Sequence, residues 1–227
     1  MHDFLLKLSI MLVPALLAVT FHEVAHGFAA ERCGDPTARL LGRLTINPLR
    51  HLDPIGTIAL LLLGFGWARA VPVNPGNLRR ARLDMSLVAL AGPGANFALA
   101  IFCALCLRWA VAASGTAPPV EGGFAFSEPI TLMAAFGLYI NVILALFNLL
   151  PIPPLDGGRV LVSLLPERLA TSLRRVEPFG LLLILALVFW TPLWQVVFSP
   201  VVYMLIALLA GPHLDVVTRT VQLLFGH

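Results

Sequence analysis

Three apolar runs in this chain are long enough to cross a lipid bilayer, and they restrict its fold more than any other feature. They cover residues 4–30, 85–113 and 129–151, and a spanning helix needs about 20 apolar residues. The chain of 227 residues is 59% hydrophobic and 12% charged, whereas an ordinary globular protein is about 25% charged. We therefore expect an all-α polytopic membrane protein in contact with the lipid bilayer.

Further apolar stretches raise the expected number of membrane helices to about five or six. The region after residue 178 is apolar but interrupted at Thr191-Pro192 and Ser199-Pro200, which favours two helices there. We expect one membrane-embedded domain over residues 1–227. Its core, at about 15–160, holds the polar motifs, and its C-terminal helices lie at about 178–225.

Two segments are not expected to be plain spanning helices. Segment 55–66 is apolar but too short to cross easily, so we expect a re-entrant element. Segment 67–84 contains Val71-Pro72-Val73-Asn74-Pro75, and this spacing of prolines favours an extended piece such as an edge strand or a short hairpin. A short extended or β element is therefore expected among the helices.

The arginines lie mainly in loops between the apolar runs, which accounts for the net charge of +3 without a nucleic-acid partner. Loops 31–54, 67–84 and 157–177 each contain four arginines, whereas loop 114–128 contains no lysine or arginine. Positively charged loops face the cytoplasm, so we expect the first three loops there and the fourth outside. The protein is then a multi-pass protein of the cell membrane.

The sequence His22-Glu23-Val24-Ala25-His26 lies inside the first apolar run. Residues four apart share a helix face, so both imidazoles can bind one ion with Glu23 beside it. H-E-x-x-H is the pattern of zinc metalloproteases, in which the Glu is the general base. Ionisable groups at membrane depth are costly, which favours function over chance spacing. We therefore predict a zinc site at His22 and His26, with Glu23 as the catalytic base.

A third zinc ligand is expected from Asp156. The motif would lie about 6–12 Å below the cytoplasmic surface, at ~1.5 Å of helix per residue. The run 129–151 ends on the same side and continues into a proline-rich stretch that reaches Asp156. A catalytic zinc keeps three protein ligands and an open position for water. His22, His26 and Asp156 would fill the three positions near the cytoplasmic face.

Other metal-binding or polar residues carry weaker signals. Cys103 and Cys106 form a C-x-x-C that can bind zinc, but their apolar neighbours favour small buried thiols without a disulfide. His51 is the next candidate if Asp156 is not the third ligand. Asn96, with nearby Gly92 and Gly94, favours close helix packing and a hydrogen bond between helices.

Several motifs together resemble the site-2 protease family of intramembrane zinc metalloproteases. They are the H-E-x-x-H in a membrane helix, the stretch from Asn148 to Asp156-Gly157, and Ala91-Gly92-Pro93-Gly94-Ala95-Asn96. The stretches 47–57 and 66–75 resemble the compact, mostly prokaryotic branch, and no PDZ or CBS domain is expected. The resemblance covers roughly residues 15–160.

The resemblance implies a zinc metalloendopeptidase that cleaves transmembrane segments of other membrane proteins. It implies that Asn148 lies near the zinc, where its amide would stabilise the oxyanion; hydrogen bonding between helices is the alternative role. His51 and Asp53 resemble a family motif and would order a loop beside the site or bond to its ligands. The extended element near 67–76 would lie by the active site and pair with substrate.

A membrane metal transporter or metal-binding scaffold is the main alternative, because it too would place His and acidic residues at membrane depth. Glu23 separates the two classes, since a protease needs a base beside its ligands and a transporter does not. We therefore expect a protease, with Zn²⁺ as cofactor and a transmembrane protein as substrate. The sequence makes no prediction about oligomeric state.

Overall fold

Helices make up the regular structure of the protein in the computed structural model, which describes residues 2–54, 56, 68–114, 127–190 and 192–226. The α-helices are α1 (His2–Arg32), α2 (Thr37–Leu40), α3 (Ala81–Ser114), α4 (Ser127–Asn148), α5 (Asp156–Leu164), α6 (Glu167–Arg174), α7 (Gly180–Trp190), α8 (Ser199–Ala210) and α9 (Leu214–Phe225). No sheet forms within these ranges, and Leu52 and Ala68 make an isolated antiparallel bridge. The expected all-α class is confirmed for the described part of the chain.

Four helical stretches among the described residues are long and apolar enough to cross a membrane. They are Leu5–Arg32, Ala81–Ala113, Glu128–Asn148 and Trp194–Phe225. Three of them coincide with the three long apolar runs, where backbone hydrogen bonds within the helix replace the water that lipid does not supply. The protein is thus polytopic. The predicted total of five to six spans stays a prediction, and nearly all of segment 55–66, which was predicted to be re-entrant, lies outside the described residues.

The C-terminal apolar region departs from the predicted break at Ser199-Pro200. The chain is π-helical over Trp194–Phe198, and α8 begins directly at Ser199 with Pro200 in its first turn. Proline is accepted at that position because the first N–H groups of a helix have no partner within it. The chain therefore stays helical at Ser199-Pro200, where a break was expected. The last described residue of α7 is Trp190, and Thr191, at the other predicted break, lies outside the described residues.

The chain divides into two compact units, and the prediction of a single domain over 1–227 stays a prediction. One unit consists of Met1–Ala18, Asn96–Leu144 and Leu193–His227. Its core includes Ile10, Phe136 and Leu224, all buried. The other unit consists of Val19–Ala95 and Ala145–Pro192. Every residue predicted for the metal site falls within this second unit.

A buried amide pair lies inside the first unit. The Nδ2 of Asn96 donates to the carbonyl oxygen of Ala18 at 3.1 Å and to Oδ1 of Asn141 at 2.9 Å. Both Asn side chains are at most 2% exposed, so each amide must be satisfied inside the protein. This is the hydrogen bond between helices that the sequence predicted for Asn96. All three cysteines are free thiols, but Cys103 and Cys106 are partly exposed rather than buried as predicted.

In the second unit, Asp35 fixes the loop after α1 to the segment before α3. Its carboxylate is fully buried and accepts hydrogen bonds from the backbone N–H of Thr37, the backbone N–H of Asn74 and the side-chain amide of Asn77. Burial by itself raises the pKa of Asp35, but these donors hold it below its usual value. Asp35 is therefore an ionised anchor for residues 74–77.

Candidate metal centre

Helix α1 brings His22 and His26 onto one face, as their spacing requires. The two Nε2 atoms are 3.0 Å apart and the rings are perpendicular. Both side chains are buried, with 8% and 6% of their surface exposed. Two imidazole nitrogens that face each other in an apolar helix are well placed to share one cation.

Asp156 completes a group of three ligand-type side chains. Its Oδ2 lies 3.1 Å from Nε2 of His22 and 3.3 Å from Nε2 of His26. Among the described residues, these three side chains form a group that could hold a metal ion. The residue begins α5, after the proline-rich loop. A Cβ at Gly157 would lie 2.2 Å from the carbonyl oxygen of Leu149, so this glycine lets the loop fold closely over the start of α5.

The dimensions of this group suit zinc. A tetrahedral zinc with ligands at about 2.0–2.1 Å holds them about 3.3 Å apart, and the observed separations are 3.0, 3.1 and 3.3 Å. Oδ2 of Asp156 is buried and makes no hydrogen bond of normal geometry. Burial alone would raise the pKa of Asp156, but the two imidazoles hold it below its usual range. The carboxylate is therefore ionised, as a metal ligand must be.

The backbone of α3 orients one of the imidazoles. Nδ1 of His26 lies 2.7 Å from the carbonyl oxygen of Val88. A carbonyl only accepts, so Nδ1 carries a proton, and Nε2 is the nitrogen that faces Asp156 and His22. Hydrogen bonds of this kind fix the tautomer of metal-binding histidines.

Gly92 gives the two imidazoles room against α3. A Cβ at Gly92 would lie 2.4 Å from Nε2 of His26 and 2.7 Å from Cε1 of His22, whereas a Cβ at Gly94 would meet nothing within 4 Å. The sequence predicted close packing at Gly92 and Gly94, and this is wrong for Gly94, which faces open space. It did not predict that the partners of Gly92 are the two imidazoles. In the sequence, Gly92 is marked only by its position one helical turn after Val88. Its contact with the imidazoles is seen only when α1 and α3 are packed together.

Glu23 lies on the turn between the two histidines and is half-buried. Its Oε2 accepts a hydrogen bond from the backbone N–H of Val71 at 2.8 Å. The extended segment around Val71 therefore does lie beside the motif, although it forms no sheet with the described residues. Sequence reasoning placed this segment near the active site but did not find its contact with Glu23.

The structure places the remaining predicted residues as follows. Asn148 is the last residue of α4 and is partly buried. His51 is buried, and its Nε2 bonds to the carbonyl oxygen of Thr45 at 2.8 Å. Asp53 accepts a hydrogen bond from the backbone N–H of Gly56 at 2.8 Å. His51 and Asp53 thus order their own loop, and neither belongs to the ligand group of His22, His26 and Asp156.

Comparison with known proteins identifies the family. The family model described as Peptidase family M50 matches residues 112–191. YwhC of Bacillus subtilis (strain 168), a protein named as a zinc metalloprotease, is 40% identical over 190 residues, which cover 84% of this chain and 84% of YwhC. Rip2 of Mycobacterium tuberculosis (strain ATCC 25618 / H37Rv), also named as a zinc metalloprotease, is 31% identical over 208 residues, which cover 87% of this chain and 73% of Rip2. No solved structure matches the chain. The resemblance found in the sequence is confirmed: the chain belongs to peptidase family M50, the site-2 protease family.

Proposed function

We propose that this protein is a zinc-dependent endopeptidase that cleaves transmembrane segments of other membrane proteins. One observation carries the proposal: Asp156 meets His22 and His26, and these histidines flank Glu23 in a helix that is apolar enough to span a membrane. Membership of peptidase family M50 and the names of the relatives support zinc metalloprotease activity. Cleavage inside the bilayer is the further step that the apolar setting of the site supports.

His22, His26 and Asp156 would hold the zinc, and Glu23 would move the protons. When bound, zinc polarises the scissile carbonyl and lowers the pKa of a water molecule to about 7. Glu23 would accept a proton from that water and pass it to the leaving amine. The hydrogen bond from Val71 to Oε2 leaves Oε1 of Glu23 for this transfer.

Asn148 is proposed as a donor to the developing oxyanion, where a fixed hydrogen bond helps most. Its position supports this role, since it ends α4 only eight residues before Asp156. A hydrogen bond between helices remains the alternative role for this amide.

The substrate is proposed to be a transmembrane protein whose helix must unwind before cleavage, because a helix hides its backbone in internal hydrogen bonds. Pairing with the extended segment near Val71 and Val73 would hold such a chain. The segment is not enclosed between strands of the described chain, which supports this role. The N–H of Val71 is already bonded to Glu23, so pairing would use other backbone groups.

The proposed orientation puts the site near the cytoplasmic face of the cell membrane, with 55–66 re-entrant among five to six membrane segments. It rests on the positively charged loops. In a variant without native cysteines, we expect Arg80→Cys to react with a membrane-impermeant thiol reagent from the cytoplasm and Glu121→Cys from outside. Labelling of both positions from the same side would contradict this orientation.

Reconstitution tests the proposed activity. The purified protein is placed in vesicles with a tagged single-span substrate, and the cut is located by mass spectrometry. We expect one or more cuts within the apolar segment of the substrate, and none after zinc is removed with a chelator. Zinc flux across the vesicle membrane without any cleavage would contradict the proposal and favour a metal transporter.

A further inference from the structure

We infer that Arg43 is a positioning residue that orients the carboxylate of Glu23 by clamping the backbone segment Arg69–Val71. The inference rests on the proposed function, in which Glu23 is the general base. Arg43 lies in a loop and belongs to none of the motifs predicted from the sequence, so the inference assigns it a new role in the reaction.

Arg43 is a buried cation that bonds to backbone. Only 8% of its surface is exposed, and its Nη2 donates to the carbonyl oxygen of Arg69 at 2.6 Å and, more weakly, to that of Ala70 at 3.5 Å. Burying a charged group is costly unless the group is bonded or paired. Burial and the nearby charge of Arg69 lower the pKa of Arg43, whereas the negative charge of Glu23 raises it.

The clamped segment reaches Glu23 directly. The carbonyl oxygen of Arg69 accepts from Arg43, the N–H of Arg69 donates to the carbonyl oxygen of His51 at 2.8 Å, and two residues later the N–H of Val71 donates to Oε2 of Glu23 at 2.8 Å. Extended chain spans about 3.3 Å per residue, so the clamped residue lies within about 7 Å of Val71, which donates to the carboxylate. A shift of Arg69 would therefore move the donor that holds Glu23.

The motif helix is shaped to accept this segment. A Cβ at Gly27 would lie 2.5 Å from Cδ2 of Leu44 and 3.0 Å from Cγ1 of Val71. Leu44, which follows Arg43, and Val71, which bonds to Glu23, therefore both pack against α1 at Gly27, where the helix has no side chain. Further along, Asp35 holds the backbone N–H of Asn74 at 2.7 Å. The segment is fixed on both sides of the Val71 hydrogen bond.

This arrangement restrains a side chain that would otherwise be free to turn. Glu has three rotatable bonds, and one oxygen of Glu23 is held by the Val71 N–H. A displacement of about 1 Å in a reacting group can cost about 100-fold in rate. The clamp should therefore affect the catalytic step rather than substrate binding or the metal.

The test compares Arg43→Gln with Arg50→Gln, which removes the same charge from an exposed side chain of the same loop. Wild type, both variants and Glu23→Gln are reconstituted with the tagged substrate, and zinc content, kcat and KM are measured. We expect Arg43→Gln to keep its zinc and its KM and to lose about 10- to 100-fold in kcat, with Arg43→Lys intermediate and Arg50→Gln like wild type. Unchanged kcat in zinc-loaded Arg43→Gln would overturn the inference. A loss of kcat in proportion to lost zinc would overturn it equally, since Arg43 would then only support the fold.

Amide exchange separates this inference from the proposed function. Hydrogen–deuterium exchange over residues 69–74 should be faster in Arg43→Gln than in wild type or Arg50→Gln. If wild type fails to cleave, the proposed function fails, and the exchange rate still decides whether Arg43 holds the segment. Exchange that is equal in all three proteins would show that it does not.

Discussion

Glu23→Gln is expected to retain the zinc of the wild type and to cleave a reconstituted transmembrane substrate about 10²–10⁴-fold more slowly, the usual contribution of a general base. Gln has nearly the same size as Glu and keeps an oxygen that can accept the hydrogen bond from the Val71 N–H. It cannot accept a proton from water at neutral pH. The measurements are the cleavage rate and the zinc content of the same preparations.

The zinc measurement shows whether a loss of cleavage comes from the missing base or from loss of the metal. Undiminished cleavage by zinc-loaded Glu23→Gln would refute the proposed mechanism. If the protein were a metal transporter, metal flux would largely survive the change. Loss of zinc together with cleavage would show that Glu23 supports the site itself, contrary to its proposed role as a base.

Asp156→Ala is expected to bind zinc far more weakly than wild type. It leaves two protein ligands where a catalytic zinc has three, and even loss of an outer partner of a ligand typically costs about 10–100-fold in affinity. Asp215→Ala, which removes a carboxylate that is 57% exposed on α9, is the control. Zinc is measured by atomic absorption after dialysis. Full zinc occupancy in Asp156→Ala would show that the third ligand is another residue, and His51 would be the first to test.

A pair of glycine variants extends this prediction to the packing of the site. A methyl group at Gly92 would overlap His26, whereas one at Gly94 would meet nothing within 4 Å. Both changes stabilise a helix by the same intrinsic amount, about 0.5–1 kcal/mol. We therefore expect Gly92→Ala to lose zinc and Gly94→Ala to keep it. Equal zinc content in the two variants would show that α3 does not shape the metal centre.

Local rules account for what could be predicted from the sequence. The long apolar runs became helices because a helix satisfies its backbone bonds within one segment. His22 and His26 share a face because they are one helical turn apart. Asp156 was predicted from the depth at which its chain segment should end, and the structure places its Oδ2 within 3.3 Å of both imidazoles. Their roles as ligands, and those of Glu23 and Asn148, stay predictions.

Two departures from prediction can be traced to particular residues. The proline at position 200 does not break the helix because it lies in the first turn of α8. The extended segment near Val71 forms no sheet within the described chain, and the Val71 N–H bonds to the Glu23 side chain rather than to a strand.

The sequence by itself determined which residues are predicted to carry the chemistry: a pair of histidines and a glutamate related by helical periodicity, and an aspartate at matching depth. Only the tertiary structure decided what orients them. His26 is held by Val88, which is 62 residues away in the chain, and Glu23 by Val71, which is 48 residues away. The same holds for Gly92 beneath the imidazoles and for Arg43 on the Arg69 carbonyl. No local pattern specifies such contacts, because they form only when separate helices and loops pack together.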